Sequence, residues 1–281
     1  MTHPILVPLD GSELSVRILE SISPLLREEG QELLLLSVVP NRGTGPDQAE
    51  RLDVATAQLE AVAATLREQG IRTTQRLERG DPAERILEVA GEPRVELVAM
   101  STHGRTGTSR LLRGSVAERV LRESPVPILL CNPEGLKKTP EDNFKKILVP
   151  LDGSALSDRA LPFVERIARA YGSRVTLLRV APPLSLPLPS ASLAEVWDMA
   201  RLRESLEPQR QSLLEAGVDV VVNVAMGAEA AEILAAAGEA DLVAMTTHGR
   251  GGVSRWWYGS VAESVVRECP CPLLILRTRE G

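Results

Sequence analysis

The 281 residues include 43% hydrophobic and 25% charged side chains, a balance that suits a folded chain of two domains and leaves no excess of disorder-promoting residues. Aromatic residues make up 2%, and the net charge of −6 is shared evenly by the two halves, so neither stacking surfaces nor a basic footprint for nucleic acid is present. No apolar run has the length of a membrane span, the first residues lack a signal-peptide pattern, and Cys131, Cys269 and Cys271 make no ligand set or disulfide framework; a cytoplasmic protein without a membrane partner is expected.

Hydrophobic spacing alternates between strand and helix along the chain. Residues 5–9 are a short apolar strand. Residues 12–29 follow with helical spacing through Leu14, Ile18, Ile22, Leu25 and Leu26, capped by Ser12 and stopped at Gly30. Residues 32–39 form a nearly continuous apolar run, the pattern of a strand covered on both faces. A polar loop leads to a long helix over 48–69, then to a weaker alternating strand over 71–77 that suits a sheet edge. Asp81 and Pro82 open a helix over 82–90. Strand 95–100, helix 115–122 and strand 126–131 complete the first unit. A polar linker over 133–145 follows, and all four lysines (Lys137, Lys138, Lys145 and Lys146) lie in or beside it. The second half repeats the order, with strands over 147–151, 174–180, 218–225, 242–245 and 273–276. Its helices cover 155–171, 192–216, 229–237 and 260–268, and 182–190 is a proline-rich loop. The expected domains are 1–132 and 146–281. Each is an α/β unit with a parallel sheet, helices on both faces and right-handed crossovers.

An internal repeat underlies this symmetry. Val7-Pro-Leu-Asp-Gly-Ser12 returns 142 residues later as Val149-Pro-Leu-Asp-Gly-Ser154. A longer stretch, Met100-Ser-Thr-His-Gly-Arg-Thr-Gly-Thr-Ser-Arg-Leu-Leu-Arg-Gly-Ser-Val-Ala-Glu118, returns 145 residues later as Met245-Thr-Thr-His-Gly-Arg-Gly-Gly-Val-Ser-Arg-Trp-Trp-Tyr-Gly-Ser-Val-Ala-Glu263. A period this long means a duplicated domain rather than a solenoid.

Each long copy reads as strand, glycine-punctuated loop and helix start. Gly104, Gly107 and Gly114, and Gly249, Gly252 and Gly259, allow close backbone approach to a ligand, and the helix N-terminus offers unpaired N–H groups to an anion. Ligands of open α/β sheets bind beyond the strand C-termini where strand order reverses. There Asp10 and Asp152 would face the glycine loops, carboxylate toward sugar or base and amides toward phosphate. Their alternative role is a turn or cap before Gly-Ser. Ser115 and Ser260 each begin Ser-x-x-Glu, a capping box in which the helix itself occupies the hydroxyl; a phosphate at the same helix end can still use amide groups, so the two readings are not exclusive. His103 and His248 fall at equivalent loop positions and suit a hydrogen bond to phosphate or loop backbone; one histidine per site makes no metal centre. Arg105 and Arg250 reach phosphate oxygens or stay solvated. No general base is evident, so catalysis is the minority reading and no catalytic residue is assigned. Gly-Lys-[Ser/Thr] is absent, which excludes the P-loop nucleoside triphosphatases.

With these motifs the chain resembles the universal stress protein family over nearly its whole length. The resemblance implies two tandem doubly wound five-stranded parallel sheets of order 3-2-1-4-5, of the adenine-nucleotide α-hydrolase-like kind, related by a pseudo-two-fold. The family's ATP-binding branch carries Gly-x2-Gly-x9-Gly-[Ser/Thr]. Gly104 and Gly249, then Gly114-Ser115 and Gly259-Ser260, match it, while Ser101 and Thr246 replace the first glycine. ATP with Mg²⁺ is the implied ligand of a nucleotide-responsive stress or signalling module; a slow ATPase or phosphotransferase and a non-binding scaffold are the alternatives. By the same resemblance, Asp10 and Asp152 hold the adenosine end, between Pro8, Leu9, Pro150 and Leu151 and the backbone of Val38 and Val180. Met100, Ser101, Val116, Met245, Thr246 and Val261 join the loop residues around the phosphates. Family dimers pair their fifth strands, so a tandem chain is expected to form a pseudo-dimer within itself, with homodimers a further option.

Overall fold

Five strand segments in each half become five strands, and the helical spacings between them become helices. The computed structural model describes residues 4–23, 25–27, 31–41, 46–101, 116–131, 144–181, 199–248 and 259–278. These divide into two compact units, Met1–Glu134 and Gly135–Gly281.

In the first unit the strands are β1 (Ile5–Pro8), β2 (Glu32–Val39), β3 (Arg72–Arg79), β4 (Leu97–Ser101) and β5 (Ile128–Cys131). All pairings are parallel, in the order β3-β2-β1-β4-β5. The second unit has β6 (Lys146–Pro150), β7 (Arg174–Ala181), β8 (Asp219–Met226), β9 (Leu242–His248) and β10 (Leu273–Thr278). Its order is β8-β7-β6-β9-β10, again parallel. The expected sheet order therefore holds in both units. Ile5 pairs with Leu33 on one side and Leu97 on the other, so β1 sits where the chain reverses its direction of travel across the sheet.

Leu33 to Leu36 show why β2 is central. Successive side chains on a strand point to opposite faces, yet all four are at most 1% exposed, so both faces are covered by helices. β3 has only exposed and half-buried positions and pairs with β2, as an edge strand of its unit should.

Right-handed crossovers put the helices before and after β2 on one face and those flanking β4 on the other. The first face carries α1 (Glu13–Val16), α2 (Ile18–Ile22) and α3 (Pro46–Glu68). The other carries α4 (Pro82–Ala90) and α5 (Val116–Glu123), which pack together. The second unit has α6 (Leu161–Tyr171), α7 (Met199–Glu204), α8 (Glu207–Glu215), α9 (Glu229–Ala237) and α10 (Ser260–Glu268). Two expected helices prove interrupted. The element over 12–29 is α1, a break at Arg17, α2 and a 3-10 turn at Leu25–Arg27. Ser15 Oγ donates to the Ser12 carbonyl at 2.8 Å, a local bond that competes with helix propagation. The second-unit counterpart opens with a 3-10 turn at Ser157–Ala160, where Ser157 Oγ makes the same bond to Ser154. Of the helix expected over 192–216, residues 192–198 lie outside the described residues, and the rest is α7 and α8, divided before Pro208, which has no N–H to donate.

Candidate functional site

The site is built from the C-terminal ends of β1 and β4, and of β6 and β9. Leu9 N–H donates to the Leu36 carbonyl at 2.8 Å and Leu151 N–H to that of Leu178 at 2.9 Å. Sheet pairing thus runs one residue past each strand, with Pro8 and Pro150 half-buried, Leu9 and Leu151 buried, and Asp10 and Asp152 exposed beyond them. Asp10 Oδ1 accepts from Ser12 N–H at 3.0 Å and from Ser12 Oγ at 2.6 Å. Asp152 Oδ1 accepts from Ser154 N–H at 2.8 Å. Both carboxylates therefore close an Asx turn while facing solvent at the switch point. Val38 and Val180, half-buried near the ends of β2 and β7, stand on the adjacent strands.

The residue after each aspartate must be glycine. Gly11 has φ +80° and Gly153 φ +79°, a region costly for side chains with a β-carbon. A Cβ at Gly11 would lie 2.1 Å from Gln58 Oε1, and one at Gly153 2.5 Å from Arg179 Nη1. The same turn is thus covered by an amide from α3 in one unit and by a guanidinium from β7 in the other. Beside the first turn is a cavity of about 310 Å³, lined by Leu9, Gly11 and Ser12, by Ser37 of β2, and by Ala55, Gln58 and Leu59 of α3. Its walls combine apolar surface with a few hydroxyl and amide groups, the make-up of a small-molecule pocket.

The second turn is more highly charged. Arg179 Nη1 donates to the Leu151 carbonyl at 3.2 Å. Loss of hydration and then the negative charge of Asp152 push the Glu229 carboxyl above its ordinary value, while Arg179 pulls it down. Glu229 is the first residue of α9.

On the other side of the switch point, Met100 is buried and Ser101 Oγ donates to the Leu14 carbonyl of α1 at 3.1 Å. The hydroxyl at the position of the missing glycine is thus turned onto α1. Val116 is the first residue of α5. Helix α10 starts at Ser260 with Gly259 as its cap, a residue with no side chain to bond the first amides. The expected capping box at Ser260 therefore does not form. With the cap at 259, Glu263 stands at the fourth helical position instead of the third, and its N–H donates to the Gly259 carbonyl at 3.1 Å. Gly259 and Ser260 are exposed and Val261 is half-buried.

Strand β9 corrects a second expectation. Thr246 and His248 belong to the strand, not to a loop after Met245. β10 runs long enough to pair Leu276 with Thr246, Arg277 with Thr247 and Thr278 with His248, and β-branched threonines favour extended backbone. His103, Gly104, Arg105, Gly107, Gly114, Ser115, Gly249, Arg250 and Gly252 lie outside the described residues.

The sequence profile of the universal stress protein family matches residues 1–132 and again 143–277. The chain belongs to that family. A universal stress protein of Methanocaldococcus jannaschii is 30% identical over 148 residues, which are 49% of this chain and 84% of that protein. One of Thermus aquaticus is 31% identical over 137 residues, 48% of this chain and 99% of its own length. The crystal structure of a universal stress protein from Archaeoglobus fulgidus shares the fold with a TM-score of 0.72 at 24% identity, covering 98% of both chains. Within this universal stress protein framework, four residues beside the turns escaped sequence reasoning: Ser37, Gln58, Arg179 and Glu229. Only Arg179 left a signal, as a charge next to Val180 inside a largely apolar strand. Gln58 lies on a long helix of mixed polarity, where nothing distinguishes it.

Proposed function

We propose that this universal stress protein binds ATP with Mg²⁺ at both strand switch points and acts as a nucleotide-responsive module. The observation that carries the reading is the repeated juxtaposition of an exposed aspartate at the end of the unit's first strand with the strand that leads into a glycine loop and a helix start. An exposed carboxylate suits ribose hydroxyls. The cavity at Leu9, Ser37 and Leu59 suits a base, with the backbone of Val38 and Val180 alongside. Helix starts at Val116 and at Gly259–Val261 suit phosphate, since α10 brings its first amides without a side-chain cap. Among the described residues no group of three or more His, Cys, Asp or Glu side chains is arranged to hold a metal. Magnesium would therefore arrive with the nucleotide, held by phosphate oxygens and water, as is usual for this ion. Also among the described residues, no helix is long and apolar enough to cross a membrane.

Calorimetric titration of the nucleotide-stripped protein with ATP and Mg²⁺, against AMP and NAD, tests the proposal. Two ATP per chain is the expected result. Asp10→Ala and Asp152→Ala should each weaken one binding event and leave the other unchanged. Absence of heat and of any thermal shift at millimolar ATP would refute the proposal and favour a scaffold.

A further inference from the structure

Two of the three cysteines meet outside the nucleotide reading. Cys269 is the C-terminal cap of α10, its N–H donating to the Val265 carbonyl at 2.9 Å. Cys271 follows two residues later, just before β10. Their Sγ atoms are 3.8 Å apart, and the residues are only 5% and 7% exposed. Pro270 and Pro272 flank Cys271, restricting φ on both sides of it and so limiting the conformations of the turn. The first unit closes the matching turn, Ser124-Pro-Val126, with a hydroxyl. Ser124 Oγ donates to the Val126 carbonyl at 2.8 Å and accepts from its N–H at 3.3 Å. The second unit has sulfur where the first has that oxygen, and a second sulfur where the first has Val126. Packing does not require both exchanges at once.

We propose that Cys269 and Cys271 are a reversible dithiol–disulfide pair, oxidised by hydrogen peroxide, at the C-terminal end of α10. The Cys269 thiolate attacks one peroxide oxygen, the O–O bond breaks, and the departing hydroxide takes up the thiol's proton as water. The resulting sulfenic acid is attacked by the Cys271 sulfur. The S–S bond forms as the S–O bond breaks, and a second water leaves. Two thiols lose two electrons and peroxide gains them. Hydrogen bonding from the Cys271 side chain lowers the Cys269 thiol below its ordinary value, against the opposing effect of burial, and the thiolate is the nucleophile such a step needs. A soft-metal site fits less well, because no third ligand of the Cys, His, Asp or Glu type joins the pair among the described residues. Cys131 belongs to the first unit, where it is buried with its sulfur 2.8 Å from Ser21 Oγ.

The test is intact-mass spectrometry of the reduced, folded full chain after brief exposure to hydrogen peroxide and quenching with an alkylating agent. The expected product carries one alkyl group, on Cys131, and a 269–271 disulfide, two hydrogens short of the singly alkylated chain; dithiothreitol added before the quench should instead restore three alkylatable thiols. Cys271→Ser should stop oxidation at a Cys269 sulfenic acid trapped by dimedone. Cys269→Ser, which carries the hydroxyl that the first unit already uses at this turn, keeps the fold and should abolish the two-hydrogen loss. Oxygen addition without hydrogen loss, disulfide-linked dimers, or faster oxidation of Cys131 than of the pair would each overturn the proposal.

Discussion

At the scale of single residues, Gly11 and Gly153 are constrained twice, by backbone angle and by the side chain above them. Gly11→Ala would force a left-handed alanine, at a cost of about 1 kcal/mol, and would push Gln58 away. We expect a drop in stability of at least that size by urea denaturation, together with weaker nucleotide binding in the first unit. Arg179 distinguishes the second site from the first, where Ser37 occupies the aligned strand position. Arg179→Ser removes a cation beside the site of an anionic ligand, so it should weaken one of the two ATP binding events and leave the other unchanged, read in the same calorimetric titration.

Glu229 supplies a pH test with a definite sign. Its carboxyl is raised from 4.5 by lost hydration and by Asp152, so the folded chain holds this proton more firmly than the unfolded one. The stabilising contribution is fully present below 4.5 and is lost as pH rises through the raised value. Glu229→Gln should therefore gain thermal stability over the parent between acid and neutral pH, with the gap widening as pH rises. Equal melting temperatures at every pH would contradict it.

At the scale of elements, the same chemistry has different weight at centre and edge. Leu35 in β2 is fully buried, and Leu35→Ala should cost about 2–5 kcal/mol through lost transfer energy and an unfilled cavity. On edge strand β3, Arg76 bridges Glu78 and Glu92 and holds the Glu92 carboxyl below its ordinary value. Those groups are partly solvated, so Arg76→Ala should cost no more than about 1 kcal/mol. Chemical denaturation of the two variants would show the contrast. Asp241, by comparison, is buried and joins two strands: its Oδ2 accepts from Lys146 N–H at 2.9 Å, and its own N–H donates to the Lys146 carbonyl at 2.8 Å.

At the scale of the whole molecule, the chain is one unit written twice and then varied. The family match in each half and the division into Met1–Glu134 and Gly135–Gly281 lead us to expect that either unit, expressed alone, unfolds cooperatively. Circular dichroism of the two fragments during heating would check this. Saturating ATP should raise the melting temperature of the full chain by binding the folded state, and the double variant Asp10→Ala, Asp152→Ala should lose most of that rise.

Duplication, the alternation of strand and helix, and the family motifs could be read directly along the chain, because each depends on local spacing or on repetition of short strings. The edge character of residues 71–77 and the covered centre at Leu33–Leu36 were legible for the same reason: a strand's burial is written in its period. Helix breaks at Arg17 and before Glu207 were not, since hydrophobic spacing continues across them while serine hydroxyls and proline alter the hydrogen bonding. The cap at Gly259 displaced a capping box that spacing alone had favoured. Side chains that meet across the fold were out of reach altogether. Gln58 lies over Gly11, Arg179 over Gly153, and Ser101 donates to Leu14 because parallel strands and right-handed crossovers bring distant segments together. Those contacts depend on three-dimensional adjacency, which no local pattern along the chain encodes.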